Sequence, residues 1–180
     1  LHGYNSFGEE VDGFPFQSTD RVRSSPAVGD VDNDGQMEVV FGNSSGKLYI
    51  VNHDGSRELA YTLLGFVEST PALVDVDGDQ DLEIFFTTTT TSGGQLYAIH
   101  HNGITMSGFP KELGSMWTGP AVHDIDNDGA YDIICTTYDK EIYAIDVNGG
   151  VIKPGFPFAT SGRSSISPTV VDIDSDGDYE

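Results

Sequence analysis

The sequence holds a single cysteine, Cys135, among 180 residues, so no internal disulfide can staple it. Its setting, Ile133-Ile134-Cys135-Thr136, reads as an ordinary strand position carrying an inert core thiol. Basic residues are scarce: eight Lys and Arg stand against 29 Asp and Glu, a formal charge of -21. With no Lys/Arg cluster to reverse that sign locally, phosphate backbones and anionic headgroups are repelled, so nucleic acid and membrane surfaces are poor partners. No apolar run approaches the roughly 18 residues of a membrane span, and the chain opens on Leu1 rather than on a basic, apolar leader. That pattern is expected of a soluble piece, processed or excised from a longer chain. No segment reads as a helix either.

What is present is apolar and aromatic in good measure: 37% of residues are hydrophobic and 11% aromatic, which excludes a disordered acidic tail. A chain of this length removes roughly two-thirds of its unfolded surface from water on folding, so core size is not limiting.

Self-similarity organises the whole chain. Ser25-Pro26 recurs as Thr70-Pro71, Gly119-Pro120 and Ser167-Pro168, at intervals of 45, 49 and 48 residues. After each comes a small or apolar pair, then an Asp-x-Asp-x-Asp loop, then an apolar β-branched run such as Glu38-Val39-Val40-Phe41. A second apolar segment follows, Leu48-Tyr49-Ile50-Val51 or its counterparts Leu96 to Ile99 and Ile142 to Ile145. It ends at a tight-turn dipeptide, Asp54-Gly55, Asn102-Gly103 or Asn148-Gly149. A less regular fourth strand is expected next, closing with Gly108-Phe109-Pro110 or Gly155-Phe156-Pro157. The fold class is therefore all-β, in propeller-like blades of four antiparallel strands, about four repeats of 45–49 residues within a larger propeller.

The expected divisions are 1–24 for the end of a preceding blade, 25–69, 70–118 and 119–166 for three repeats, and 167–180 for the start of a fourth. Leu1 to Pro15 aligns without a gap on Leu96 to Pro110, and Glu180 occupies the place of Glu38 and Glu83. Both ends are thus expected to lie inside repeats. In Thr87 to Thr91 the second repeat is three residues longer than the first, read as a strand plus a lengthened loop rather than a glycosylated tract.

The acidic loops carry the chemistry. Numbered from their first aspartate, positions one, three, five and nine are Asp30, Asp32, Asp34 and Glu38; Asp75, Asp77, Asp79 and Glu83; Asp124, Asp126, Asp128 and Asp132; and Asp172, Asp174, Asp176 and Glu180. Position seven, whose backbone carbonyl can serve as a further ligand, is Gln36, Asp81, Ala130 and Asp178. A hard cation such as Ca²⁺ takes six to eight oxygens at about 2.3–2.6 Å, and alternating carboxylates on a curling loop converge on one point. Glycine at position six permits the bend, except in the second loop, where Gln80 stands. Eighteen of the 29 acids fall in these loops, and without a cation or full exposure they repel one another. Asp, Asn and Gly also make good turns by themselves, but four loops in register favour metal. Magnesium wants stricter octahedra, and zinc and copper want His or Cys, so calcium is the expected ion, one per loop and up to four. His2, His53, His100, His101 and His123 share no spacing and read as surface or packing residues.

These residues resemble the FG-GAP and VCBS repeat families, the calcium-loop blades of integrin-α-like propellers. The resemblance rests on Ser25-Pro26-Ala27-Val28 before the loop, the Asp-x-Asp-x-Asp-Gly core, and Phe41-Gly42 after it, and it spans nearly the entire chain. Phe-Gly is found only in the first repeat; Phe85-Phe86 replaces it in the second. The resemblance implies a Ca²⁺ loop joining the first two strands of each blade and a ring of about seven blades. It also implies extracellular or cell-surface work, in adhesion or in binding a protein or glycan ligand.

Three function classes follow. The first is a non-enzymatic, calcium-binding adhesion or ligand-binding module, since no recurring cluster pairs a nucleophile with a base. The second is a structural subunit of a calcium-stabilised secreted fibre or surface layer, formed by self-association. The third is a carbohydrate-active enzyme or lectin, with Trp117, Tyr138 or Phe158 stacking on sugar, although such aromatics more often fill gaps between blades.

Overall fold

A computed structural model describes residues 1–177 and 179, with twelve strands and, among those residues, no helix. The first sheet comprises β1 (Ala27–Gly29), β2 (Glu38–Gly42), β3 (Lys47–Val51) and β4 (Arg57–Thr62). The second comprises β5 (Ala72–Val74), β6 (Glu83–Thr90), β7 (Gly93–Ile99) and β8 (Lys111–Leu113). In the third are β9 (Ala121–His123), β10 (Asp132–Thr136), β11 (Glu141–Asp146) and β12 (Phe158–Ala159). Each sheet is an antiparallel meander in chain order. The first strands of successive sheets lie side by side, as innermost strands do around a propeller axis.

The central strands are apolar on both faces because both faces are covered. Successive side chains of a strand point to opposite sides. Ile84 and Phe86 accordingly pack with Val40, Leu48 and Ile50 of the first sheet, while Phe85 packs with Ile133, Cys135 and Ile145 of the third. Cys135 is 2% exposed, and burial pushes its thiol pKa up to about 12, so it is an inert core residue. A third cluster joins Phe41 and Tyr49 to Leu1, Phe14 and Phe16. Leu1 and Phe16 exchange two 2.9 Å bonds, the same register as Leu96 with Lys111 in the second sheet. The N-terminal segment therefore pairs as the aligned end of a repeat does.

Two expectations need correcting. In the second and third repeats the fourth strand lies after Gly-Phe-Pro, at β8 and β12, rather than before it. The segments before it make single bridges, Ile99 to Thr105 and Ile145 to Ile152. The cause is local. Gly108 and Gly155 turn at φ 87° and 92°, and proline has no N–H to extend a ladder, so pairing resumes only beyond it. In the first repeat no Gly-Phe-Pro intervenes, and β4 runs straight from the turn with one bulge. A Cβ at Gly13 would collide with the carbonyl of Asp54, and one at Gly108 with that of Gly149. The glycine of one repeat thus seats against the hairpin turn of the next.

The threonine tract, expected to end in a lengthened loop, is strand almost throughout: Thr87 to Thr90 pair with Leu96 to Gly93, leaving a two-residue turn. Thr87, Thr88 and Thr89 are buried. Their extension holds because β-branched residues suit strands and because two of the hydroxyls find partners, Thr87 on the carbonyl of Thr118 and Thr89 on that of Met116, while that of Thr88 has none.

A further repeating feature lies two residues before the proline that opens each of the first three repeats. The buried Ser24 hydroxyl accepts the Gly42 N–H at 2.8 Å and donates to its carbonyl at 3.0 Å. Ser69 does the same with Thr87, at 3.0 and 3.1 Å, and Thr118 meets the hydroxyl of Thr136 at 3.3 Å. Each pair is 18 residues apart, so a hydroxyl ties the entry of a repeat to the far end of its second strand. Replacing Ser69 with Ala leaves a buried Thr87 N–H without a partner, which costs about 1–3 kcal/mol. The expected outcome is a lower urea midpoint for Ser69→Ala; an unchanged midpoint would mean that the hydroxyl does not carry this junction.

Candidate metal centres

The acidic loops occupy 30–37, 75–82 and 124–131, each between the first and second strands of its sheet. Their backbone curls through two left-handed residues. Position four has φ 58° at Asn33, 82° at Gly78, 57° at Asn127 and 64° at Ser175, and position six has φ 89° at Gly35, 81° at Gln80, 87° at Gly129 and 97° at Gly177. The second loop therefore makes the same bend as the others despite Gln80, with its glycine displaced to position four.

That curl aims backbone amides at the carboxylates. Asp30 accepts from Asp34 and Gly35 at 3.0 Å each, Asp124 from Asp128 and Gly129 at 3.1 and 2.9 Å, and Asp172 from Asp176 and Gly177 at 3.2 and 3.0 Å. In the second loop Asp75 accepts from Gly78 and Gln80 at 2.7 and 3.2 Å. Position five binds the amide of position seven: Asp34 with Gln36, Asp79 with Asp81, Asp128 with Ala130. Position nine is buried and accepts the amide of position two: Glu38 from Val31 at 2.9 Å, Glu83 from Val76 at 3.0 Å, Asp132 from Ile125 at 3.3 Å. Burial raises the pKa of all three acids, opposed by those bonds. Val31 at position two sits in the core between the first two sheets, which anchors the loop.

Carboxylate oxygens converge as the spacing predicts. Ligand atoms of Asp30, Asp32 and Glu38 lie within 4.8 Å of one another, as do those of Asp75, Asp77 and Asp79, of Asp79, Asp81 and Glu83, and of Asp124, Asp126 and Asp132. Asp81 Oδ1 is shut off from solvent and receives no hydrogen bond. Asp81 thus offers its side chain as well as the expected backbone carbonyl. Asp172, Asp174 and Asp176 begin a fourth loop of the same kind; Asp178 and Glu180 lie outside the described residues. The loops also touch in series: the Leu82 N–H donates to the Val31 carbonyl at 3.0 Å, and the Asn127 side chain to the Gly177 carbonyl at 3.1 Å.

Four neighbours escaped the sequence reading. His100 Nδ1 is 3.0 Å from Glu83 Oε1 and His101 Nδ1 is 2.7 Å from Asp81 Oδ2, so these histidines belong to the second loop rather than to general surface or packing. Asp77, Glu83 and His100 form a further convergent trio. Beside the first loop stands Glu58, whose pKa is raised by burial and by the charges of Asp32 and Asp34. Lys153 reaches into the third loop, 2.7 Å from Asp126 Oδ2, 3.5 Å from Asp128 Oδ2 and 3.0 Å from Asp132 Oδ1. Burial works against the Lys153 charge, but hydrogen bonds to Asp126 and Asp132 outweigh it and raise its pKa; Asp126 is held below the usual carboxylate range by the same bond. None of these residues shares a spacing with its loop, because each lies beyond the end of the third strand, Glu58 and Lys153 after the hairpin turn, 17 or more residues along. The aromatics weighed for sugar stacking are partly exposed, Trp117 at 45%, Tyr138 at 38% and Phe158 at 61%, with the Arg163 guanidinium over the Tyr138 ring.

Gln80 is a long side chain held where glycine is at ease, a strain of about 1–2 kcal/mol partly offset by glycine's greater unfolded freedom. Gln80→Gly is expected to raise the melting temperature, by about 0.5–1 kcal/mol of stability; a fall would show that the glutamine contributes a contact that outweighs its strain.

No curated protein matches the sequence. Among solved structures, the C-terminal domain of PilY1 from Pseudomonas aeruginosa is similar at a TM-score of 0.59 and 20% identity, over 81% of this chain and 35% of that one. BamB from Moraxella catarrhalis is similar at 0.53 and 20%, over 76% and 37%, and BBS1N, solved in complex with ARL6DN, at 0.50 and 14%, over 79% and 45%. The chain spans less than half the length of each, and at these identities the likeness is one of fold. The model of the FG-GAP-like repeat matches residues 30–86 and 75–135, each match opening on a position-one aspartate, Asp30 or Asp75. Together they span 30–135, more than half of the sequence, and the chain belongs to the FG-GAP-like repeat family.

Proposed function

We propose that this chain is a calcium-stabilised, non-enzymatic binding module that works outside the cell, engaging a protein or glycan ligand in adhesion. The observation that carries it is the recurring cradle: three oxygens drawn within 4.8 Å in successive loops, and in the second of them Asp81 Oδ1 buried without a donor. Such a set fits a hard cation. Asp30, Asp32 and Glu38 would hold one ion, with Gln36 adding its carbonyl; Asp75, Asp77, Asp79, Asp81 and Glu83 would hold another; Asp172, Asp174 and Asp176 begin a third. Bound calcium would supply the positive charge that lets these carboxylates sit together.

The extracellular reading draws on supply: loops of modest affinity fill at the calcium concentrations met outside cells. Among the described residues no helix is long and apolar enough to cross a membrane. The non-enzymatic reading draws on where the polar groups are engaged. His100 and His101 face loop carboxylates, and the Cys135 thiol is buried. Exposed Trp117 and Phe158 offer faces on which a glycan ring could stack.

At calcium a hundredfold above its dissociation constant, one site adds about 2.7 kcal/mol. Calorimetric scans are expected to show a melting temperature raised by millimolar calcium, raised much less by magnesium, and lowered by chelator. Asp77→Ala should remove one bound ion and reduce the rise; scans indifferent to calcium would overturn the metal reading. For the adhesive role, a glycan and extracellular-protein array is expected to give signals that require calcium. An array silent in both conditions would count against binding as the function.

A further inference from the structure

The residue one step beyond the bridge that follows each hairpin turn differs in charge from repeat to repeat. The bridges are Val51 with Arg57, Ile99 with Thr105 and Ile145 with Ile152, so the equivalent residues are Glu58, Met106 and Lys153. Backbone bonds agree for the last two: the Met106 N–H donates to the Ala98 carbonyl and the Lys153 N–H to that of Ala144, both at 2.9 Å. In the first and third repeats this position faces the loop of its own repeat. In the first repeat it adds an acid beside Asp32 and Asp34, in the second it is neutral, and in the third it brings an ammonium.

Resting on the calcium reading of the first two loops, we propose that the third loop carries its own cation, the Lys153 ammonium, and takes no calcium, while keeping the carboxylate geometry of a calcium site. Nζ lies within 3.5 Å of Asp126, Asp128 and Asp132 together, and with its side chain 13% exposed it is boxed among them. Asp132 Oδ1 is buried without a hydrogen bond, as Asp81 Oδ1 is in the second loop; here the ammonium lies 3.0 Å away and answers its charge. An ammonium and a divalent ion cannot share that space: like charges a few ångströms apart repel strongly, and each needs the same oxygens. The third sheet would then keep its inner turn at calcium levels that empty the other loops.

The test counts calcium ions bound to the chelator-stripped chain by equilibrium dialysis and titration calorimetry. Lys153→Met, which installs the residue of the second repeat, is expected to bind one more ion than the wild type. In chelator it should melt below the wild type, and added calcium should restore it. In the wild-type background Asp126→Ala should leave the count unchanged, whereas Asp32→Ala should lower it by one. A wild-type count lowered by Asp126→Ala would overturn the proposal, as would a count that Lys153→Met does not raise. Should Lys153→Met fail to fold, the Asp126→Ala count decides alone. A wild type that binds no calcium, with one ion gained in Lys153→Met, would uphold this inference while overturning the calcium reading of the first two loops.

Discussion

The carboxylates at positions one, three, five and nine are forced together by strand pairing, and the rest of each repeat is arranged around that closeness. The first strand ends just before position one and the second begins at position nine, so a ladder such as Gly29 with Glu38 fixes the loop's two ends side by side. Position nine is then buried, and its charge is held by one backbone amide, from Val31, Val76 or Ile125. A buried carboxylate among acidic neighbours demands more than that amide, and Glu83 and Asp132 have His100 and Lys153 beside them as well. The apolar residue at position two meets the complementary need, pinning the loop to the core while its amide serves position nine.

Because the loops lie in series at the inner ends of adjacent sheets, whatever neutralises one bears on the next. The Leu82 to Val31 bond and the Asn127 to Gly177 bond join the loops of consecutive repeats. Two glycines of Gly-Phe-Pro, Gly13 and Gly108, join the other side, each seated against the hairpin turn of the following repeat. A blade in this chain is therefore held by two kinds of contact with its neighbour, apolar between sheet faces and backbone-to-backbone at the turns.

Much of this was legible in the residues. The repeat interval, the four-strand unit and the convergence of Asp30, Asp32 and Glu38 follow from period and alternation, which are local properties. The fourth strands of the second and third repeats were misplaced because Gly-Phe-Pro reads as an end, whereas the chain only turns there and pairs again. The threonine tract reads as a strand plus a lengthened loop, and the strand runs further than that because carbonyls of Thr118 and Met116, about 30 residues on, take up the hydroxyls of Thr87 and Thr89. Gln80 misled in a different way, since its bend is set by the whole loop and not by the residue that occupies it.

The sequence by itself determined that this is a β-repeat chain with acidic loops in register, because strand period, turn dipeptides and carboxylate spacing act over a few residues. Only the tertiary structure decided what faces each loop: Glu58 beside the first, His100 and His101 beside the second, Lys153 inside the third. Those partners come from beyond the end of the third strand, and antiparallel pairing, not spacing along the chain, carries them back to the loop. Charge balance in a site is summed over space, so four loops that look alike in sequence need not be alike in what they hold.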